Sequence, residues 1–64
     1  MTPQVGDIWE WTDLAEVKSY WLLLEPLKGN ARVPHAKFFQ GLCLTDGKSA
    51  HIVFQGERRW RFVA

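Results

Sequence analysis

The densest patch of chemistry in this chain is Arg58-Arg59-Trp60-Arg61, where three guanidinium groups flank an aromatic ring. Arginines that point outward beside an aromatic can hold phosphates and stack on bases. Lys28, Arg32 and Lys37 would extend the patch if their loop folds alongside. The charge balance argues the other way. Eight basic and seven acidic residues leave a formal charge of +1, whereas phosphate-binding domains carry a clear basic excess. Arginines on an exposed or edge strand also prevent edge-to-edge pairing and cover apolar surface with their stems. Nucleic-acid binding through Arg58, Arg59 and Arg61 therefore stands as the second reading.

Nucleophilic chemistry would need Cys43 paired with His35 or His51. A single cysteine allows no intramolecular disulfide, and Cys43 reads as a small buried apolar residue. Metal chemistry needs convergent ligands, and the chain has neither a Cys-x-x-Cys pair nor a His-x-x-x-His pair. Asp7 with Glu10, and Asp13 with Glu16, have the spacing of solvated polar positions, and so short a chain scarcely encloses a cleft for paired carboxylates. The expectation is a protein without catalytic residues, metal or cofactor.

Aromatic residues are the other conspicuous feature. Four Trp, four Phe and one Tyr make 14% of 64 residues. One small domain encloses that many rings only with difficulty, and aromatics left outside are favoured anchors at protein interfaces. Trp9 and Trp11, two residues apart on one strand, are the candidates. Disorder is excluded, because 47% of residues are hydrophobic and net charge is low. The longest apolar run, Tyr20 to Leu24, is far short of the ~20 residues of a membrane span. The opening Met1-Thr2-Pro3-Gln4 lacks the basic start and apolar core of a signal peptide. The expected setting is cytoplasmic.

The elements that must carry these residues are short. Turn signals divide the chain into strand-length segments, predicting strands near 6–11, 19–25, 38–44, 49–55 and 58–63. Residues 12–18 form either one helical turn capped by Thr12 or Asp13, or a loop folded back on the sheet. Pro26 should end the second strand, since proline donates nothing to a ladder. Thr45-Asp46-Gly47-Lys48 reads as a type I′ hairpin turn with Asp46-Gly47 at its centre. That register sets Leu44 opposite Ser49, Cys43 opposite Ala50, Leu42 opposite His51 and Gly41 opposite Ile52. One face then holds Phe39, Gly41, Cys43, Ala50, Ile52 and Phe54, the predicted core. The other holds Gln40, Leu42, Leu44, Ser49, His51 and Val53. In the last strand Trp60 and Phe62 should face inward, and Arg59 and Arg61 outward.

Five strands without a long helix imply an all-β chain, residues 1–64 forming a single small five-stranded SH3-like barrel. The opening Gly6-Asp7-Ile8-Trp9, then Leu23-Leu24-Glu25, Gly41-Leu42-Cys43-Leu44 and the terminal Trp60 resemble small phage and prophage proteins of SH3-like barrel fold. Gly6-Asp7-Ile8 is also similar to the start of the MazF-type toxin ribonucleases, but their catalytic basic and hydroxyl residues find no matching motif here. The phage resemblance implies a virion component or a modulator of a host protein, in host cytoplasm or virion. The favoured function is a non-enzymatic protein-interaction module, self-associating or docked on a larger assembly. Its surface would combine Trp9 or Trp11 with Leu42, Leu44 and Val53, three aliphatics that a lone monomer should not leave wet. No small-molecule substrate and no membrane partner is expected.

Overall fold

Two aspartate-centred turns set the strand pairing. In the computed structural model, which describes residues 2–29, 32, 35–55 and 59–64, β1 (Ile8–Thr12) and β2 (Lys18–Leu27) are joined by a tight loop. The Asp13 carboxylate accepts the amides of Ala15 at 2.8 Å and Val17 at 2.9 Å. A short side-chain acceptor thus replaces the backbone carbonyls that a helical turn would supply. Glu16 closes the loop at φ 63°. A loop is observed rather than a helical turn, but it stands clear of the sheet instead of folding back on it, with Leu14 87% exposed.

The second turn joins β3 (Lys37–Cys43) to β4 (Ser49–Phe54). Its register corrects the expectation by two residues. Gly41 lies opposite Ala50 and Leu42 opposite Ser49. A type I′ turn needs positive φ at both central residues, but Gly47 at φ 75° is the only residue of this turn that has it. The connection is a wider loop, with Cys43 N–H bonding the Lys48 carbonyl at 2.8 Å and Gly47 N–H the Cys43 carbonyl at 2.9 Å. Because side chains alternate with period two, a shift of two residues keeps every side chain on its predicted face.

β2 also runs further than expected. Pro26 lies within it, opposite Phe39, rather than ending it. A bulge between Leu23 and Glu25 shifts the register there, and β1 begins at Ile8 opposite Leu22. Beyond the bulge β2 therefore has β3 on one side and no ladder on the other. The Leu44 amide bonds the Tyr20 carbonyl, which makes the even-numbered residues of β3 those that bond β2. Phe39 faces β4 instead, so Pro26 sits in a non-bonded pair, its missing N–H directed at the free edge. That is a position where a strand tolerates proline.

β5 (Trp60–Phe62) returns to pair with β1, giving one antiparallel sheet in the order β4-β3-β2-β1-β5. It begins later than expected, and Arg58 lies outside the described residues. The two edge strands stand at opposite ends of that order, yet the rings of Phe54 and Trp60 are 4.6 Å apart. The sheet is curled until its edges touch through side chains, and among the described residues no ladder closes it. The bulge adds twist, and Gly41 permits close packing inside the curl, since a Cβ there would collide with Ile52.

The concave side holds the core: Leu23 (1% exposed), Trp9, Phe39, Ile52 and Phe54, with Trp21, Trp60 and Phe62 packed against it. Phe54 is the hub, its ring 5.1 Å from Trp9 on β1, 5.8 Å from Phe39 on β3 and close to Trp60 on β5. Enclosing one such ring removes ~150–250 Å² of surface, contributing about 4–6 kcal/mol as an upper bound. Cys43 is buried on this side, as expected. Ala50 is not: it is exposed, because β4 is an edge strand and no described residue packs over Ala50 at the open seam that it lines.

Candidate functional site

Trp9 is 6% exposed, which withdraws it from any surface. Its ring fills the centre of the curl, and its indole donates to Asp7 Oδ2 at 3.2 Å. Trp11, one turn of the pleat further on, is half-buried at the end of the same row. It lies on the concave side, whereas Leu42, Leu44 and Val53 lie on the convex side. The structure therefore does not bring the expected aromatic and aliphatic residues onto one surface. It shows two apolar surfaces.

The first is a cleft of about 290 Å³ along the open seam. Trp11, Trp21 and Trp60 form one wall and residues 50–53 of β4 the other. Trp11 and Trp60 are cross-strand partners with ring centroids 4.9 Å apart. Trp21 donates its indole N–H to Ser19 Oγ at 3.0 Å, and Trp60 donates to the Val53 carbonyl at 3.2 Å. Among the described residues no acceptor meets the Trp11 indole N–H. In the sequence Trp21 is only part of the Tyr20 to Leu24 apolar run, and Trp60 is an inward residue within the basic cluster. The sequence carries only part of the signal for the cleft: the i, i+2 spacing puts Trp9 and Trp11 on one face, while the pairing of Trp9 with Trp21 and of Trp11 with Trp60 exists only in the folded sheet.

The second surface is the convex face. Ile8, Leu22 and Leu42 stand side by side across β1, β2 and β3. Val63, whose amide bonds the Ile8 carbonyl at 2.9 Å, continues the row at 46% exposure. In the next row Arg61, Glu10 and Tyr20 are neighbours, and Leu44, 48% exposed, follows Tyr20. Val53, half-buried, completes the aliphatic set on β4.

Glu10 is the buried polar residue of this face, at 4% exposure. Its carboxylate accepts from the Tyr20 hydroxyl at 3.0 Å and from Arg61 Nη2 at 3.4 Å, with Lys18 Nζ at 3.9 Å. The hydrogen bond to Glu10, and then the carboxylate's charge, hold the Tyr20 phenol above its ordinary pKa. At the β3–β4 turn the Asp46 carboxyl is held below the usual range, chiefly because it accepts the Lys48 amide at 2.9 Å.

The basic cluster has structural work. Arg59 donates to the carbonyls of Thr12 at 3.2 Å and Asp13 at 2.8 Å, tying the chain to the β1–β2 loop. Arg61 points outward as expected and covers Glu10. Arg58 and its place in the cluster lie outside the described residues. His51 is exposed on β4, on the face opposite Cys43, and His35 is exposed in the loop before β3. The described residues contain no group of three His, Cys, Asp or Glu side chains that could hold a metal ion. No described helix is long and apolar enough to cross a membrane. Comparison with protein-family models, curated proteins and solved structures finds no match.

Proposed function

We propose that the chain is a non-enzymatic protein-interaction module, and that the curled sheet is an SH3-like barrel with its β4–β5 seam open. The observation that carries the first part is the row Val63–Ile8–Leu22–Leu42, an apolar line across β1, β2 and β3 on the convex face that Val63, just past the end of β5, extends. With Tyr20 and Leu44 beside it, it forms one apolar area rather than scattered residues, and such areas mark interaction sites. The strand order, in which β5 returns to β1, supports the barrel reading. The Gly6-Asp7-Ile8-Trp9 opening supports an origin in a phage or mobile element, and with it a partner in a virion or in host cytoplasm. The nucleic-acid reading gains little from Arg59, whose guanidinium is tied to the Thr12 and Asp13 carbonyls, and Arg61, though exposed, faces the Glu10 carboxylate.

The test is Leu42→Asp. Leu42 is half-buried and outside the core cluster, so the variant should fold, while a charge in the row should abolish association. Light scattering on the size-excluded protein reads self-association, and retention of a cross-linked partner reads docking. A Leu42→Asp protein that melts normally and still associates refutes the assignment of this face.

A further inference from the structure

The two edges of the sheet are protected unequally. β5 is three residues long and carries Arg61. β4 reads Ser-Ala-His-Ile-Val-Phe over six residues, with no Pro, Lys, Arg, Asp or Glu. Proteins that must avoid strand pairing shorten an edge or place charges and prolines on it, and β4 has neither device. We propose that β4 is a docking edge. An extended segment of a partner protein adds to it along the open seam and seats an apolar side chain among Trp11, Trp21 and Trp60. This deepens the interaction-module reading and rests on it.

The backbone directions follow from the pairing. Cys43 N–H bonds the Lys48 carbonyl, and antiparallel pairs alternate between bonded and non-bonded. Ala50, Ile52 and Phe54 therefore turn their backbone groups to β3, while Ser49, His51 and Val53 turn theirs outward. The Trp60 indole, reaching the Val53 carbonyl across the seam, confirms that direction independently. It also shows that a donor placed there is accepted. β4 ends the sheet order, so among the described residues the outward amides of His51 and Val53 and the His51 carbonyl have no strand to meet.

The cleft lies along these groups. His51 and Val53 line it although their side chains belong to the convex face, as residues do when a cavity follows the strand edge. Its volume of about 290 Å³ falls just below the ~300–1,000 Å³ of ordinary small-molecule pockets. That space suits one or two apolar side chains projecting from a chain that runs past. The Trp11 indole N–H is a spare donor for a carbonyl of that chain. Strand addition supplies affinity through main-chain bonds and specificity through pockets for alternate side chains, and both parts are present here. A second copy fits less well. Pairing through its own β4 would bring a whole curled sheet into a seam whose cleft of about 290 Å³ admits side chains of a single extended chain.

The test uses linear peptides selected from a displayed random library against the intact protein, the tightest binder then being synthesised. Binding should shift tryptophan emission and protect the His51 and Val53 amides from hydrogen exchange. N-methylation of alternate peptide residues should weaken binding by about tenfold or more per lost bond, since tenfold corresponds to ~1.4 kcal/mol, and methylation between them should not. His51→Pro removes an outward N–H and leaves the ladder to β3 intact; it should lose binding with its circular dichroism unchanged. A peptide that tolerates methylation throughout but is lost in Trp11→Ala overturns strand addition and leaves the interaction module standing. Dimerisation through β4, seen as doubled mass abolished by His51→Pro, also overturns it. Failure to select any peptide overturns it too, and if Leu42→Asp is equally without effect the module reading falls with it.

Discussion

The two faces of this sheet are built from alternate residues of the same strands, yet they do different work. On the concave face the Phe54 ring packs against the rings of Trp9, Phe39 and Trp60, and the buried Trp9 indole has its acceptor. Among the described residues no buried side-chain nitrogen or oxygen lacks a partner. On the convex face the buried group is a carboxylate, and the groups satisfying it are themselves in solvent, with Arg61 73% and Lys18 54% exposed at the side chain. One face holds the stability of a chain with no disulfide. The other leaves an apolar row available beside a polar cluster of Glu10, Tyr20, Lys18 and Arg61.

The largest expected effect comes from breaking the concave face. Phe54→Ala should cost about 3–5 kcal/mol, the usual range for a buried ring. At roughly 0.05–0.15 kcal/mol per residue, total stability for a chain of this size is of the order of 3–10 kcal/mol. The variant should therefore be largely unfolded or have lost most of its denaturant midpoint. Leu44→Ala on the convex face should stay within about 0.5 kcal/mol. Urea unfolding of the pair measures the contrast, and equal losses would mean that the two faces share the core.

A smaller effect probes the convex cluster. Glu10→Ala leaves the Tyr20 hydroxyl and Arg61 to water, and a lost hydrogen bond at a buried acceptor costs about 1–3 kcal/mol. Solvent around Arg61 and Lys18 places the loss toward the lower end. The same bond makes stability depend on alkaline pH. Folding raises the Tyr20 pKa, so the contribution is complete below the ordinary phenol value and is lost as pH rises through the higher folded value. Melting curves taken across that range should show this decline in the native chain and its disappearance in Tyr20→Phe.

The faces themselves were legible in the sequence because parity is robust. The hairpin register was misplaced by two residues, an even number, so Phe39, Cys43, Ile52 and Phe54 kept their side. What fixed the true register was the dihedral of one residue, Gly47, and no residue-type pattern distinguishes a two-residue turn from a wider one that ends in the same Asp-Gly pair. Pro26 misled for a similar reason. Proline forbids a bonded position but allows a non-bonded one, and the choice depended on a bulge that appears only when β2 meets β3. The surplus of aromatics correctly implied that some rings would reach the surface. It could not choose between Trp9 and Trp11, because that depends on which end of their shared row lies under Phe54. The cleft was least legible, since it is bounded by strands at opposite ends of the sheet order and exists only through the curl.

The smallest effect lies off both faces and serves as a control on the comparison. Glu16 occupies the left-handed region at φ 63° in the β1–β2 loop. A side chain there costs roughly 1–2 kcal/mol relative to ordinary backbone, while glycine accepts the conformation but has more unfolded-state entropy to lose, about 0.4–1 kcal/mol. Glu16→Gly should therefore stabilise the chain by about 0.5–1 kcal/mol. The Asp13 carboxylate already holds the amides on either side of Glu16, so the loop has little freedom to rearrange. Because the loop contributes to neither face, the variant should raise the urea midpoint while leaving convex-face association and peptide binding at the seam unchanged. A gain in stability accompanied by altered binding would show that the loop couples to one of the faces, and the division between them would then have to be redrawn at the Arg59 contacts to Thr12 and Asp13.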